Sequence, residues 1–136
     1  MSLAKNIAAA AHLVRSHAEL AAELPDVFVT NGGGSSTDIT LQLDHHGDEL
    51  VTVARWALAL GISHVSLEPQ REYVRVLSRG EVETPVGVVQ VKVWTHLDVW
   101  KAAPRVASQF QLTLSPDSGP VFLEAAQVVR ASEAAA

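Results

Sequence analysis

The sequence predicts an α+β domain in which a mostly antiparallel sheet of about five strands carries two helices on one face. The main observation is the stretch from Tyr73 to Thr95, where valines alternate with polar or small residues on either side of the turn-forming residues 84–87. A period of two is typical of strands, so this stretch predicts a hairpin. The second observation is apolar spacing of three or four over 3–24 and 49–60, which indicates helices. The predicted order is α-β-β-α-β-β-β, followed by a C-terminal helical segment.

Length and composition limit the function classes. The 136 residues suit a single domain, 1–136, and 48% hydrophobic residues are enough for a core. The absence of cysteine excludes a disulfide scaffold and thiolate metal sites. No apolar run reaches membrane-spanning length and no leader pattern begins the chain, so we expect a cytoplasmic protein without a membrane anchor. The net charge of -5 argues against nucleic acid as a partner.

The first helix is predicted over 3–24 and ends before Pro25. His12 and His17 lie about 140° apart on such a helix, so they do not form the i, i+4 pair of a zinc-binding helix and we expect both to be solvated. The predicted buried stripe consists of Leu3, Ile7, Ala11, Val14, Ala18 and Ala21.

Two strands are predicted next, over 27–30 and 38–43, joined by the glycine-rich stretch 31–36. A glycine-rich loop can bind phosphate, but here no lysine follows and a strand stands where a phosphate site needs a helix. Ser35 and Ser36 also lack the strand-turn-helix setting of a nucleophilic serine. The stretch is therefore predicted to be a flexible hairpin loop.

The second helix, over 49–60, has Asp48 as its N-cap and Gly61 as its stop. Trp56 lies off the centre of the apolar stripe, so we expect it at the margin of the packing with its N–H reaching water. The predicted stripe consists of Leu50, Val53, Ala54, Ala57 and Leu58. A strand over 64–68 follows.

The register of the hairpin follows from its turn. Proline at 85 and glycine at 87 suit a turn over 84–87, which places Glu83 opposite Val88 and gathers the valines on one face. A three-residue loop with a bulge mixes the two faces and is rejected. The chosen register puts three pairs on the opposite face: Leu77 with Trp94, Arg79 with Lys92, and Glu81 with Gln90.

The pattern after Trp94 is weaker. Helical spacing over 97–110 is interrupted by Pro104, alternation over 109–115 predicts a short strand, and 121–131 predicts a last helix.

Two sets of polar residues are candidate catalytic or metal-binding sites. Imidazole and carboxylate can bind zinc or iron, and the candidates are Asp44, His45 and His46, joined by His64 and Glu49. Adjacent histidines point to opposite sides of a strand and no third histidine has a recognisable spacing, so we predict a polar strand end and no metal or cofactor. Glu81 and Glu83 flank the hairpin tip, where a structural or solvating role is favoured.

The apolar side chains on the outer side of the hairpin need a cover. Either the C-terminal segment folds over them, or they form an exposed patch, rimmed by basic residues, that binds a protein partner or a second copy of the chain. Glutamates at 72, 81 and 83 are interleaved with the basic residues, which argues against a nucleic-acid surface. The candidate interface residues are Tyr73, Arg75, Leu77, Arg79, Lys92 and Trp94.

Three segments carry a resemblance. The helix ending in Leu24 and Pro25, the run Ala-Arg-Trp-Ala-Leu-Ala-Leu-Gly over 54–61 and the hairpin end Val-Lys-Val-Trp over 91–94 resemble small uncharacterised actinobacterial proteins of phage or plasmid type. The resemblance reaches from the N-terminus to about Trp94 and implies no activity and no catalytic residue. The leading hypothesis is a non-enzymatic interaction protein, such as an accessory factor of a mobile element. The alternative is a small enzyme or a metal- or ligand-binding protein that uses the loop 44–46.

Overall fold

Six strands form one mixed sheet in a computed structural model, which describes residues 3–22, 26–31, 37–43 and 49–135. The predicted α+β class is confirmed. The helices are α1 (Leu3–Ser16), α2 (Ala18–Ala21), α3 (Glu49–Ala59), α4 (Ala102–Phe110) and α5 (Ala125–Ala135). The strands are β1 (Asp26–Val29), β2 (Ile39–Gln42), β3 (His64–Pro69), β4 (Tyr73–Thr84), β5 (Gly87–Asp98) and β6 (Val121–Glu124). None of the helices within the described ranges is long and apolar enough to cross a membrane.

The strand order across the sheet is β1-β2-β5-β4-β3-β6. All neighbours are antiparallel except β2 and β5, which run parallel. The five strands of the predicted order α-β-β-α-β-β-β are present, and β6 is an additional strand that was not predicted. The prediction that a helix begins at Val121 was wrong, because Val121–Glu124 pairs with β3 and α5 begins only at Ala125.

The region between β5 and β6 also differs from prediction. A strand was predicted over 109–115, but α4 continues to Phe110 and ends where Gln111 takes a left-handed conformation. The backbone N–H of Leu112 then donates to the carbonyl of Ala107, so the chain leaves the helix through a C-terminal cap. Pro104 lies in the first turn of α4, where a missing N–H breaks no helical hydrogen bond.

The predicted hairpin register is confirmed along its whole length. Glu83 lies opposite Val88 and Val82 opposite Val89, and Thr84 pairs with Gly87 across the turn. Gly87 has a φ of 123°, a conformation that glycine adopts without strain. The second arm is longer than predicted, since β5 continues past Thr95 to Asp98.

Every described helix contributes to one core on one face of the sheet, which we name the inner face. The inner-face residues of the hairpin in this core are Val74, Val76, Val82, Val89, Val91, Val93 and Leu97. The buried residues of α1 are Asn6, Ala9, Ala10 and Leu13. Of the predicted stripe, Leu3, Ile7 and Ala18 are exposed, whereas Val14 and Ala21 do pack against or within the core. The cost of burying Asn6 is offset by its side-chain amide N–H groups, which donate to the carbonyl oxygen of Thr30, at 2.7 Å, and to a carboxylate oxygen of Asp38, at 3.3 Å.

Trp56 is also placed differently. It was expected at the margin of the core, but its side chain is 0% exposed and Nε1 has no hydrogen-bond partner among the described residues. The buried face of α3 is turned toward Trp56 and away from Leu58 because α2 and α5 also pack against this helix. His17, expected to be solvated, is half-buried with its ring edge-on to Trp56 at 6.0 Å.

Candidate binding surface on the outer face of the sheet

The six predicted interface residues lie on the face of the sheet opposite the core, which we name the outer face. Alternation along β4 and β5 requires this, since Leu77 pairs with Trp94 and Arg79 with Lys92 while the valines between them face the core. We name these six residues the outer-face patch: Tyr73, Arg75, Leu77, Arg79, Lys92 and Trp94.

The C-terminal helices do not cover this patch. The core residues of α4 and α5, which include Ala103, Val106 and Val128, belong to the inner-face core. The C-terminal segment contributes to the outer face through β6, where Phe122 is 66% exposed. The alternative in which the C-terminal segment folds over the patch is therefore not what the described residues show.

Leu77 is the centre of the patch. It is only 4% exposed, yet it does not belong to the core on the other side of the sheet. Its neighbours in the pairing register are Trp94 on β5 and Ser66 on β3, and Ser66 pairs in turn with Phe122 on β6. Leu77 therefore lies within a row of outer-face side chains that crosses four strands. Trp94, its neighbour in this row, is half-buried.

A cavity of about 310 Å³ opens beside Leu77. Leu77 and Phe122 supply its large apolar side chains, and Arg79 is the basic one. The complete lining is His64, Ser66, Glu68, Leu77, Ser78, Arg79 and Phe122. The outer face thus has a depression whose large apolar side chains are Leu77 and Phe122 and whose border carries both a positive charge, Arg79, and a negative one, Glu68.

Aromatic rings extend along the outer face from Trp94. The ring of His96 lies 6.2 Å from that of Trp94, edge-on, and 5.1 Å from that of Tyr73. A second cavity, of about 330 Å³, follows at this end of the hairpin, where Trp100 is 83% exposed. Its lining is Glu49, Glu72, Tyr73, His96, Leu97, Asp98 and Trp100.

The carboxylate of Asp98 begins α4. It accepts hydrogen bonds from the backbone N–H groups of Trp100, Lys101 and Ala102, at 3.0, 2.5 and 3.2 Å. The bond from Lys101 is the main reason that the pKa of Asp98 lies below its usual value. This hydrogen bonding fixes the turn that carries Trp100.

The basic residues of the patch differ in their partners. Nε and Nη2 of Arg75 both lie 3.0 Å from the same carboxylate oxygen of Glu68. Arg79 and Lys92 face each other across β4 and β5 and form no ion pair with any residue that the structure describes. Burial, followed by the charges of Arg75 and Arg79, lowers the pKa of Lys92.

Sequence reasoning missed Phe122 and His96. Phe122 was assigned to a helix, so its place beside Ser66 depended on a strand pairing that local periodicity does not reveal. The strand carrying His96 was predicted to end at Thr95. Continuing the alternation from Trp94 by one more period would have placed His96 on the outer face.

Of the candidate metal ligands, the structure describes only His64 and Glu49, and these two residues lie far apart. His64 is exposed and lines the cavity near Arg79, whereas Glu49 lines the one near Tyr73. Arg79 and Tyr73 are six residues apart along β4, which is roughly 20 Å at the rise of a strand. Asp44, His45 and His46 lie outside the described residues, as do the glycine-rich stretch 32–36 and Asp48. No group of three potential metal ligands occurs within the described ranges.

Comparison with known proteins finds no matching family model, no matching curated protein and no matching solved structure. The resemblance to actinobacterial phage or plasmid proteins, and with it an accessory role in a mobile element, therefore stays a prediction.

Proposed function

We propose that this protein is a non-enzymatic binding protein that contacts another protein through the outer-face patch. The observation that carries the proposal is the state of Leu77, a buried leucine outside the core that borders an open cavity together with an exposed phenylalanine, Phe122. Apolar patches bordered by charged residues are common at protein interfaces, where aromatic residues and arginine are enriched. The patch has this composition.

A different protein is favoured over a second copy of the chain. In a symmetric dimer both subunits use the same surface, so a two-fold axis through the patch would bring Arg79 and Lys92 of one subunit close to those of the other. Like charges at an interface oppose association unless other groups neutralise them. A partner with its own sequence avoids this repulsion.

Light scattering tests the choice of partner. We expect the mass of a monomer from dilute solution to the highest soluble concentration, for the wild type and for Arg79→Glu alike. A dimer that Arg79→Glu dissociates would overturn the proposal of a different partner and identify a second copy in its place.

Site-directed crosslinking tests the surface. A photoreactive residue is placed at position 79 or, as the matched control, at position 15, since Arg15 is also an exposed arginine but lies on α1. In cells of the natural host, we expect a defined protein to be crosslinked from position 79 and not from position 15.

Calorimetry with the purified crosslinked protein completes this test. We expect wild type and Arg15→Glu to bind it alike, and Arg79→Glu to bind about tenfold more weakly or worse. Equal affinity of Arg79→Glu and wild type would contradict a role for the outer face.

A further inference from the structure

Two cations at the centre of the outer face, Arg79 and Lys92, form no ion pair with any described residue, although the negative charge of Glu68 partly offsets that of Lys92. Arg79 and Lys92 stand directly opposite each other, a cross-strand arrangement in which like charges destabilise a sheet. Glu68 is on the same face but is engaged by Arg75. The face therefore presents two neighbouring cations that an external anion could neutralise.

The cavity beside these cations is apolar in its large side chains and limited in size. Its volume of about 310 Å³ is at the lower limit of ligand pockets, which begin near 300 Å³. Such a cavity suits a single apolar side chain better than a cofactor. Arg79 also lines this cavity and lies opposite Lys92. If a ligand places an apolar group in the cavity, the polar groups next to it in the same ligand lie close to the two cations.

We propose that the outer-face patch binds an acidic segment of a partner protein. An apolar side chain of this segment enters the cavity beside Leu77, and flanking carboxylates lie against Arg79 and Lys92. This inference rests on the proposed function, because it names the chemistry of the partner at the same surface. Charge-assisted hydrogen bonds from arginine to carboxylate would supply orientation, and burial of the apolar side chain would supply affinity.

The charges of the face favour a protein segment over nucleic acid. Glu68, Glu81 and Glu124 share the outer face with the cations, and the chain carries a net charge of -5. A polyphosphate backbone crossing this face would pass close to these carboxylates, whereas nucleic-acid sites usually present a continuous basic surface. A short segment with two carboxylates needs only the two central cations, and the carboxylate of Glu68, which also lines the cavity, is already paired with Arg75.

The test uses nuclear magnetic resonance titrations of the full chain with three probes. The first is a short capped peptide that alternates glutamate with leucine, the second has glutamine in place of glutamate, and the third is a single-stranded thymidine oligonucleotide. We expect the acidic peptide to shift the resonances of Leu77, Arg79 and Phe122 saturably. The glutamine peptide should bind about tenfold more weakly, since it lacks the charges that pair with Arg79 and Lys92.

Three variants assign the effect to its parts. Arg79→Gln should remove the preference for the acidic peptide, and the matched control Arg15→Gln should retain it. Phe122→Ser should weaken both peptides, because it removes an apolar side chain of the cavity while leaving the cations in place.

The outcomes separate this inference from the proposed function. Equal binding of both peptides at the outer face would overturn the acidic preference and leave the protein-binding surface standing. Tighter binding of the oligonucleotide at the same residues would replace the partner class with nucleic acid. Saturable shifts confined to the helices, or no saturable shift with any probe, would overturn the inference, while the crosslinking result from position 79 would still decide the proposed function independently.

Discussion

The two faces of the β4–β5 hairpin are built from alternate residues of the same two strands and have different environments. On the inner face, Val89, Val91 and Val93 are buried beneath helices. On the outer face, Trp94 is half-buried and Arg79 is exposed, with no described helix above them. The helices of the chain therefore bury the side chains of the inner face, whereas those of the outer face are only partly buried. The contrast indicates that stability is concentrated on the inner face, whereas apolar side chains on the outer face remain partly exposed within the described part of the chain.

The sharpest way to break this comparison is to put the same charge on each face. Val91→Asp places a carboxylate where the native side chain is 1% exposed, and we expect it to cost more than about 3 kcal/mol of unfolding free energy. Val88→Asp, on the same strand at 45% exposure, should cost no more than about 1 kcal/mol, although it faces Glu83. Denaturant unfolding measures both. Similar losses for the two variants would mean that the faces do not differ as described.

Strand β6 offers the same comparison between two adjacent residues. Leu123 is 7% exposed and packs in the core, whereas Phe122 is 66% exposed on the outer face. We expect Leu123→Ser to cost about 2 to 4 kcal/mol and Phe122→Ser less than about 1 kcal/mol in thermal or denaturant unfolding. If Phe122→Ser were the more damaging change, Phe122 would be a structural residue and the cavity that it lines would lose its proposed role.

The hairpin and strand β6 also show how much of the fold could be predicted from local sequence. The hairpin register followed from a turn with proline and glycine and from strict alternation, both of which are local signals. The strand β6 is only four residues long, and its apolar run suits a helix or a strand equally. Pairing with β3 decides between them, and that contact is distant in sequence. The patch was therefore predictable within the hairpin, but its completion by Phe122 was not.

The core shows the same limit. Helix α3 was predicted within about one residue at its C-terminal end, with Gly61 as its stop, and Gly61 has a φ of 78°. Four of the five residues of the predicted stripe are buried, and only its edge was misjudged, since Leu58 is 43% exposed and Trp56 is buried. The prediction had no helix packing beside this edge. Helix α5, which packs there, buries part of the circumference that two helices on a sheet would leave exposed. Local periodicity locates a helix more reliably than it locates all of the neighbours of that helix.

A smaller effect on stability is expected at Gly80, the glycine on the inner face of β4. A Cβ atom at Gly80 would lie 3.1 Å from Cγ1 of Ile62, so the absence of a side chain makes room for the isoleucine. We expect Gly80→Val to cost about 1 to 2 kcal/mol by overpacking. In combination with Ile62→Ala the cost should be less than the sum of the two single changes, which denaturant unfolding of all three variants measures. Additive losses would show that the two side chains do not compete for space.

The smallest expected effect is a gain in stability on the outer face. Because burial, and then Arg75 and Arg79, lower the pKa of Lys92, the folded chain holds this proton less tightly than the unfolded chain. The charged lysine therefore destabilises the fold at neutral pH, and this penalty decreases as the pH rises through the lowered pKa toward the ordinary value of 10.5. Lys92→Met keeps the apolar stem and removes the charge, so we expect a gain of about 0.5 kcal/mol at neutral pH.

Denaturant unfolding of wild type and Lys92→Met at several pH values tests this prediction, and a second lysine provides the control. The difference between Lys92→Met and wild type should shrink as the pH approaches 10.5, whereas Lys101→Met, at an exposed lysine, should show no comparable gain at neutral pH. A loss of stability in Lys92→Met at every pH would mean that the lysine is favourably paired in the folded chain. In that case the outer face would already neutralise its own charge, and an acidic partner would have little to add there.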